Sequence, residues 1–152
     1  EYSLLSRDIE QNILPTARAL GITLVPFSPL GRGMFTENFD TSKFEANDGR
    51  LELPRFQGNH LLNNQKLMTH LMEFAHGKGV TTAQLALAWL LNKADDIVPI
   101  PGTKKVNYLE QNVKAVDVRL TQDEIDSIEA IIQKFPNTGE RYTEASLKLV
   151  NN

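Results

Sequence analysis

Two short turns carry most of the residues whose types and spacing suit chemistry. Gly102-Thr103-Lys104-Lys105 lies between an apolar run and a helical pattern. Such a turn offers backbone N–H groups at a helix N-terminus, a hydroxyl and two ammonium groups, which together suit an anion, phosphate first. The G-x-x-x-x-G-K spacing of a phosphate loop is absent, and a solvated turn with two surface lysines fits the same residues. The second turn is Phe27-Ser28-Pro29-Leu30-Gly31-Arg32-Gly33. An aromatic at the end of a strand presents a flat face to a planar ring, and glycines let a ligand approach the backbone. A buried Phe followed by a tight turn matches the pattern equally.

Other groups carry less. His70, Glu73 and His76 recur every three residues, but the H-E-x-x-H spacing of a zinc helix is missing, so a solvated polar face is the reading and no metal is expected. His60 has no patterned neighbours. No G-x-S-x-G elbow is present, and Asp95-Asp96 reads as a turn. No catalytic residue is assigned within the chain.

The elements that must position these turns alternate. Tyr2–Leu5 reads as a short strand, 12–20 as a helix with Pro15 in its first turn and Gly21 closing it. Ile22–Phe27 is a nearly continuous apolar strand, of the kind buried on both faces of a parallel sheet. From Met34 to Leu62 no period is sustained, and a loop of that length is functional or mobile. A helix follows over about 64–76, with Leu67, Leu71 and Phe74 along one face. Thr81 or Thr82 caps another over 83–92, apolar on almost every side. Residues 97–101 form the third strand and 107–116 a helix. Thr121-Gln122-Asp123-Glu124 is a capping box opening the last helix, which buries Ile125, Ile128, Ile131 and Ile132. After Pro136 the tail reads as irregular. Strands alternating with helices imply parallel βαβ units, whose ligands sit beyond the carboxyl ends of the strands, at the two turns named above.

Composition narrows the class. The chain has 152 residues, 16 Lys plus Arg, 19 Asp plus Glu, a net charge of -3 and no Cys. That excludes disulfides and thiolate chemistry, and offers neither the basic excess of a nucleic-acid binder nor a polybasic membrane patch. The longest apolar run, Leu85–Leu91, is too short to span a bilayer. A soluble, cytoplasmic protein is the expectation. The chain opens on Glu1-Tyr2-Ser3-Leu4-Leu5, without Met and inside an apolar segment, so a piece of a longer protein is expected.

Five segments in order, Glu1–Arg7, Gly21–Gly33, Pro54–Asn59, Ala83–Leu91 and Ile100–Asn112, resemble the C-terminal part of the aldo-keto reductases. The likeness is to the branch with S-P-L-G-R-G and I-P-G-T turns. It implies a (β/α)8 TIM barrel, with residues 1–152 supplying only the last three strands and their helices, and NADP(H) extended across the C-terminal face. Residues 34–62 match a loop that folds over the cofactor.

Position by position, the resemblance puts Phe27 against the nicotinamide. Ser28, Pro29, Leu30, Gly31 and Arg32 match the turn that follows the diphosphate. Gly102, Thr103 and Lys104 match the loop at the 2′-phosphate, with Lys105 auxiliary, and Gln111 and Asn112 match contacts to the adenine end. Relatives often carry Gly-Lys near Glu37-Asn38, with the Lys on the diphosphate. This chain lacks that Lys, and Arg55 from the same loop is the expected substitute. The family's catalytic Asp, Tyr, Lys and His come from earlier strands, so the resemblance implies a chain inactive alone. The implied reaction is reduction of a small-molecule aldehyde or ketone. A non-catalytic nucleotide-binding subunit, or a truncated product on the same fold, is the alternative. Three strands of a barrel leave apolar faces open, so the remaining barrel half or self-association is expected to cover them.

Overall fold

The computed structural model describes residues 1–150; Asn151 and Asn152, the end of the expected 1–152 unit, lie outside the described residues. Its main helices are α1 (Ile13–Ala19), α2 (Gly58–Gly77), α3 (Thr82–Leu91), α4 (Val106–Val113), α5 (Gln122–Lys134) and a single turn, α6 (Glu144–Leu147). Short 3-10 turns fill the stretch from Gly31 to Phe56.

Local chemistry sets most boundaries. Gly21 adopts φ +66° after α1. Its N–H donates to Arg18 O and that of Ile22 to Ala17 O, satisfying the last carbonyls of the helix. Thr81 and Gln84 form a reciprocal capping box at α3, as Thr121 and Glu124 do at α5. Helix α2 begins six residues before the apolar periodicity does, at Gly58 rather than Asn64. The early turns are fixed by tertiary bonds: Asn63 Nδ2 donates to Pro136 O, and Asn64 Nδ2 to both Arg55 O and Thr138 O.

Residues 22–27 and 97–101 run side by side in parallel, joined by bridges Leu24↔Ile97 and Phe27↔Ile100. Among the described residues no continuous strand forms. The bonds give the reason. Leu24 N–H reaches Asp96 O, Val98 N–H reaches Leu24 O, and Ile100 N–H reaches Pro26 O. The donor between these would come from position 26, a proline without an N–H, so the ladder is interrupted in its middle. Tyr2–Leu5 is buried but bent. Ser3 Oγ accepts the N–H groups of Leu5 and Ser6, and Ser3 N–H donates to Ser6 O. The serine gives this backbone a local alternative to pairing.

The core gathers Leu67, Leu71 and Ala75 of α2, the fully buried face of α3 from Leu85 to Leu90, Ile128 of α5, and Tyr2, Leu4, Met34 and Phe35. Helix α3 is buried on nearly every side, as its composition requires. Ile128 is the buried centre of α5's apolar face, with Ile125, Ile131 and Ile132 partly buried around it. Trp89 lies edge-on to Tyr2 at 5.5 Å, with Arg7 and Lys93 over its ring. Among the described residues many apolar side chains remain exposed, including Ile13, Leu20 and Ile22 around α1, Val25, Val98 and Ile100 on the paired segments, and Val106, Leu109 and Val113 of α4.

Candidate functional site

The turn after Phe27 is held in an unusual backbone conformation. Ser28, Gly31, Arg32 and Gly33 all have positive φ, at 50°, 58°, 57° and 92°. Gly31 is the position that needs its residue type: a Cβ there would lie 2.8 Å from Leu5 Cδ1 and 3.2 Å from Phe35 Cε2. The two non-glycine residues cost energy in this region, and such strain persists where the surroundings hold it. Gly31 N–H to Ser28 O and Phe35 N–H to Leu30 O are two of the bonds that do so. Leu30 and Pro29 are buried beneath the turn, while Phe27 is 40% exposed.

A cleft of about 780 Å³ opens between this turn, the 34–57 loop and the start of α4. One wall is Gly102, Thr103, Lys104 and Lys105. Thr103 Oγ1 accepts the Lys105 N–H at 3.3 Å and so shapes the turn. Helix α4 adds Tyr108, Gln111 and Asn112, three or four residues apart and therefore on one helical face. Leu30, Thr36, Glu37, Asn38, Arg50, Thr81 and Ala83 complete the lining.

Of the expected residues, the structure therefore brings Leu30, Gly102, Thr103, Lys104, Gln111 and Asn112 to one cleft. Phe27, Ser28, Pro29, Gly31 and Arg32 form the turn beside it without lining it. Tyr108 lines it as well.

Arg55 is placed elsewhere. It is only 2% exposed, its Nη1 donates to Glu1 Oε1 at 2.6 Å and its Nη2 to Ser6 Oγ at 3.0 Å. The guanidinium is thus committed to a buried carboxylate and does not reach the cleft. The tail lies against it: a Cβ on Gly139 would sit 2.7 Å from Arg55 N.

The cation from the loop that does line the cleft is Arg50. Its guanidinium stacks on Phe44 at 3.7 Å, donates to both Asp48 oxygens, and donates from Nη1 to Arg32 O at 3.0 Å. Side-chain and backbone hydrogen bonds from Arg50 hold the Asp48 carboxyl down at about 2. Nothing in the sequence marks Arg50 beyond its place in an Asp-Gly-Arg turn.

Glu37 departs from expectation too: it is a carboxylate lining a cleft that also holds Lys104, Lys105 and Arg50. Burial pushes its carboxyl up. Hydrogen bonds from Thr82 and His76 outweigh this and hold it below the ordinary carboxylate range. The histidines do not converge: His70 pairs with Glu73 and stacks on Phe135, while His76 pairs with Glu37.

The family model described as Aldo/keto reductase family matches residues 1–133. A curated protein from Glycine max, "Probable aldo-keto reductase 1", is 40% identical over 142 residues, covering 93% of this chain and 41% of that protein. The chain thus spans about two-fifths of the length of that relative. Among solved structures, a glycerol dehydrogenase from Gluconobacter oxydans superposes with a TM-score of 0.81 at 24% identity, over 93% of this chain and 43% of that one. An aldo-keto reductase from Klebsiella pneumoniae in complex with NADPH superposes with a TM-score of 0.59 at 20% identity, over 93% and 39%.

Proposed function

The chain belongs to the aldo/keto reductase family, and on that premise we propose that it is the cofactor-holding part of an NADP(H)-dependent oxidoreductase acting on a small aldehyde, ketone or alcohol. The family's fold is a (β/α)8 barrel. The observation that carries the reading is the cleft, which collects Lys104, Lys105 and Arg50 together with the turn at the head of α4.

The residues present fit a dinucleotide phosphate. Lys104 and Lys105 are exposed ammonium groups beside Thr103, suited to a terminal phosphomonoester. Arg50 faces them from the loop and suits the diphosphate, the role first expected of Arg55. Gln111 and Asn112 offer amide donors and acceptors to a purine edge. Phe27, partly exposed beside the cleft, suits the nicotinamide. The bound cofactor supplies the hydride. These side chains bind and orient, and proton donation comes from residues outside the 152.

The same reading covers the open apolar surfaces. Tyr2–Leu5, 22–27 and 97–101 supply the last three strands of the barrel. The remaining strands cover Val98, Ile100 and α4 on one side and Ile13, Leu20 and Ile22 on the other. Their exposure supports this, because contiguous apolar patches on soluble proteins mark contact surfaces. Without that cover the chain self-associates. A soluble cytoplasmic enzyme follows from this proposal; the described residues contain no helix long and apolar enough to cross a membrane.

Titration of the intact protein with NADPH, followed by the cofactor's fluorescence, tests the proposal. Saturable binding at micromolar concentration is expected, about the range in which such ligands work. No binding at millimolar NADPH would sink it.

A further inference from the structure

We propose that Glu37 is a positioning residue: one carboxylate that clasps the start of the 34–57 loop to the rest of the fold, so that the cleft wall bearing Arg50 is formed before a nucleotide arrives. Glu37 Oε1 accepts from both the backbone N–H and the hydroxyl of Thr82, each at 2.9 Å. Thr82 is the first residue of α3, so its N–H has no partner inside the helix. The helix's own capping box uses the N–H groups of Thr81 and Gln84 and leaves this one to Glu37. Oε2 lies 3.0 Å from His76 Nε2, in the last turn of α2. A single side chain therefore joins the loop to the end of one helix and the start of the next. The α3 end suits it, since helix N-termini favour anions.

Both carboxylate oxygens are engaged by these contacts. The far end of the same loop is fixed by Arg55 on Glu1. Between these anchors Arg50 is stacked on Phe44 and bonded to Arg32 O. The loop is thus held at both ends by contacts made within the chain.

That the clasp serves a nucleotide rests on the function proposed above; the clasp itself does not. The experiment separates the two. In the intact protein without nucleotide, trypsin cleavage after Lys43 and Arg50 is timed for wild type, Glu37→Ala, Glu37→Gln and Thr82→Val. Loss of charge-assisted bonds predicts cleavage faster by about tenfold or more in Glu37→Ala. Glu37→Gln, which keeps an acceptor for Thr82, is expected to stay within about threefold of wild type. Thr82→Val, which keeps the helix N–H, should fall between them and stands in if Glu37→Ala does not fold. Unchanged cleavage in Glu37→Ala and Thr82→Val, or no rescue by Gln, overturns the clasp. In the second arm NADPH affinity is compared. Weaker binding in Glu37→Ala, restored by Gln, supports positioning, and equal affinity with a loosened loop overturns it. If wild type itself does not bind NADPH, the functional reading fails while the cleavage arm still judges the clasp.

Discussion

Arg55 Nη1 lies 2.6 Å from Glu1 Oε1, and the two side chains are 2% and 0% exposed. A pair this deeply buried gains little over well-packed apolar residues, but removing one partner strands the other charge. Arg55→Met is therefore expected to destabilise the protein by about 3–5 kcal/mol. Urea unfolding reads this directly, and a loss below about 1 kcal/mol would mean that water already screens the pair.

Lys104 and Arg50 both line the cleft, but different phosphates are assigned to them, which separates their expected effects. Lys104→Glu should weaken NADPH much more than NADH, because the two differ only in the 2′-phosphate. Arg50→Met should weaken both alike, by about tenfold or more for the loss of a charged contact. Parallel titrations with the two nucleotides decide it. Equal losses for Lys104→Glu would remove the 2′-phosphate assignment.

Gly31 has φ +58° and no room for a methyl group. Gly31→Ala combines a left-handed backbone cost of about 1–2 kcal/mol with an overlap against Leu5 and Phe35. A loss of at least about 2 kcal/mol in thermal or urea unfolding is expected. Gly49, which meets nothing and has no positive φ, is the control site and should tolerate Ala.

Acid should loosen the cluster around Arg7. Burial raises the Glu10 and Glu129 carboxyls. Bonds from Arg7 to both, with Tyr2 on Glu10 and Lys93 beside each, outweigh burial and leave both below the ordinary 4.5. The folded form thus holds fewer protons than the unfolded chain in acid. Their contribution is complete above about pH 4.5 and is lost as pH falls through the lowered native values. Wild type should lose more stability between about pH 7 and about pH 3 than Glu10→Gln does. Parallel slopes for the two proteins would refute the assignment.

Much of this was legible in the sequence because it is local. The Gly21 helix end and the Thr121-Glu124 box are set by contacts within five residues. So is the turn at Gly102–Lys105, which is why the cleft's cationic wall could be placed in advance. The loop was not legible. Arg50 and Arg55 are five positions apart in an aperiodic stretch. Which one faces the cleft depends on Glu1 and Ser6, some fifty residues away. The early start of α2 was hidden for the same reason, since its first turns are held by Asn63 and Asn64 through bonds to the tail. At 22–27 the composition of a strand was plain, while the cost of one missing donor at Pro26 appears only once its neighbour is known.

Gly139 makes the tail and the loop a matched set. Its missing side chain lets the tail backbone rest on Arg55, and Asn64 bonds at once to Arg55 O and to the Thr138 backbone. A tail borrowed from a relative cannot be grafted here by itself. A working chimera must import residues 54–56, Asn64 and the Gly139 turn together, an exchange of three separated segments rather than one.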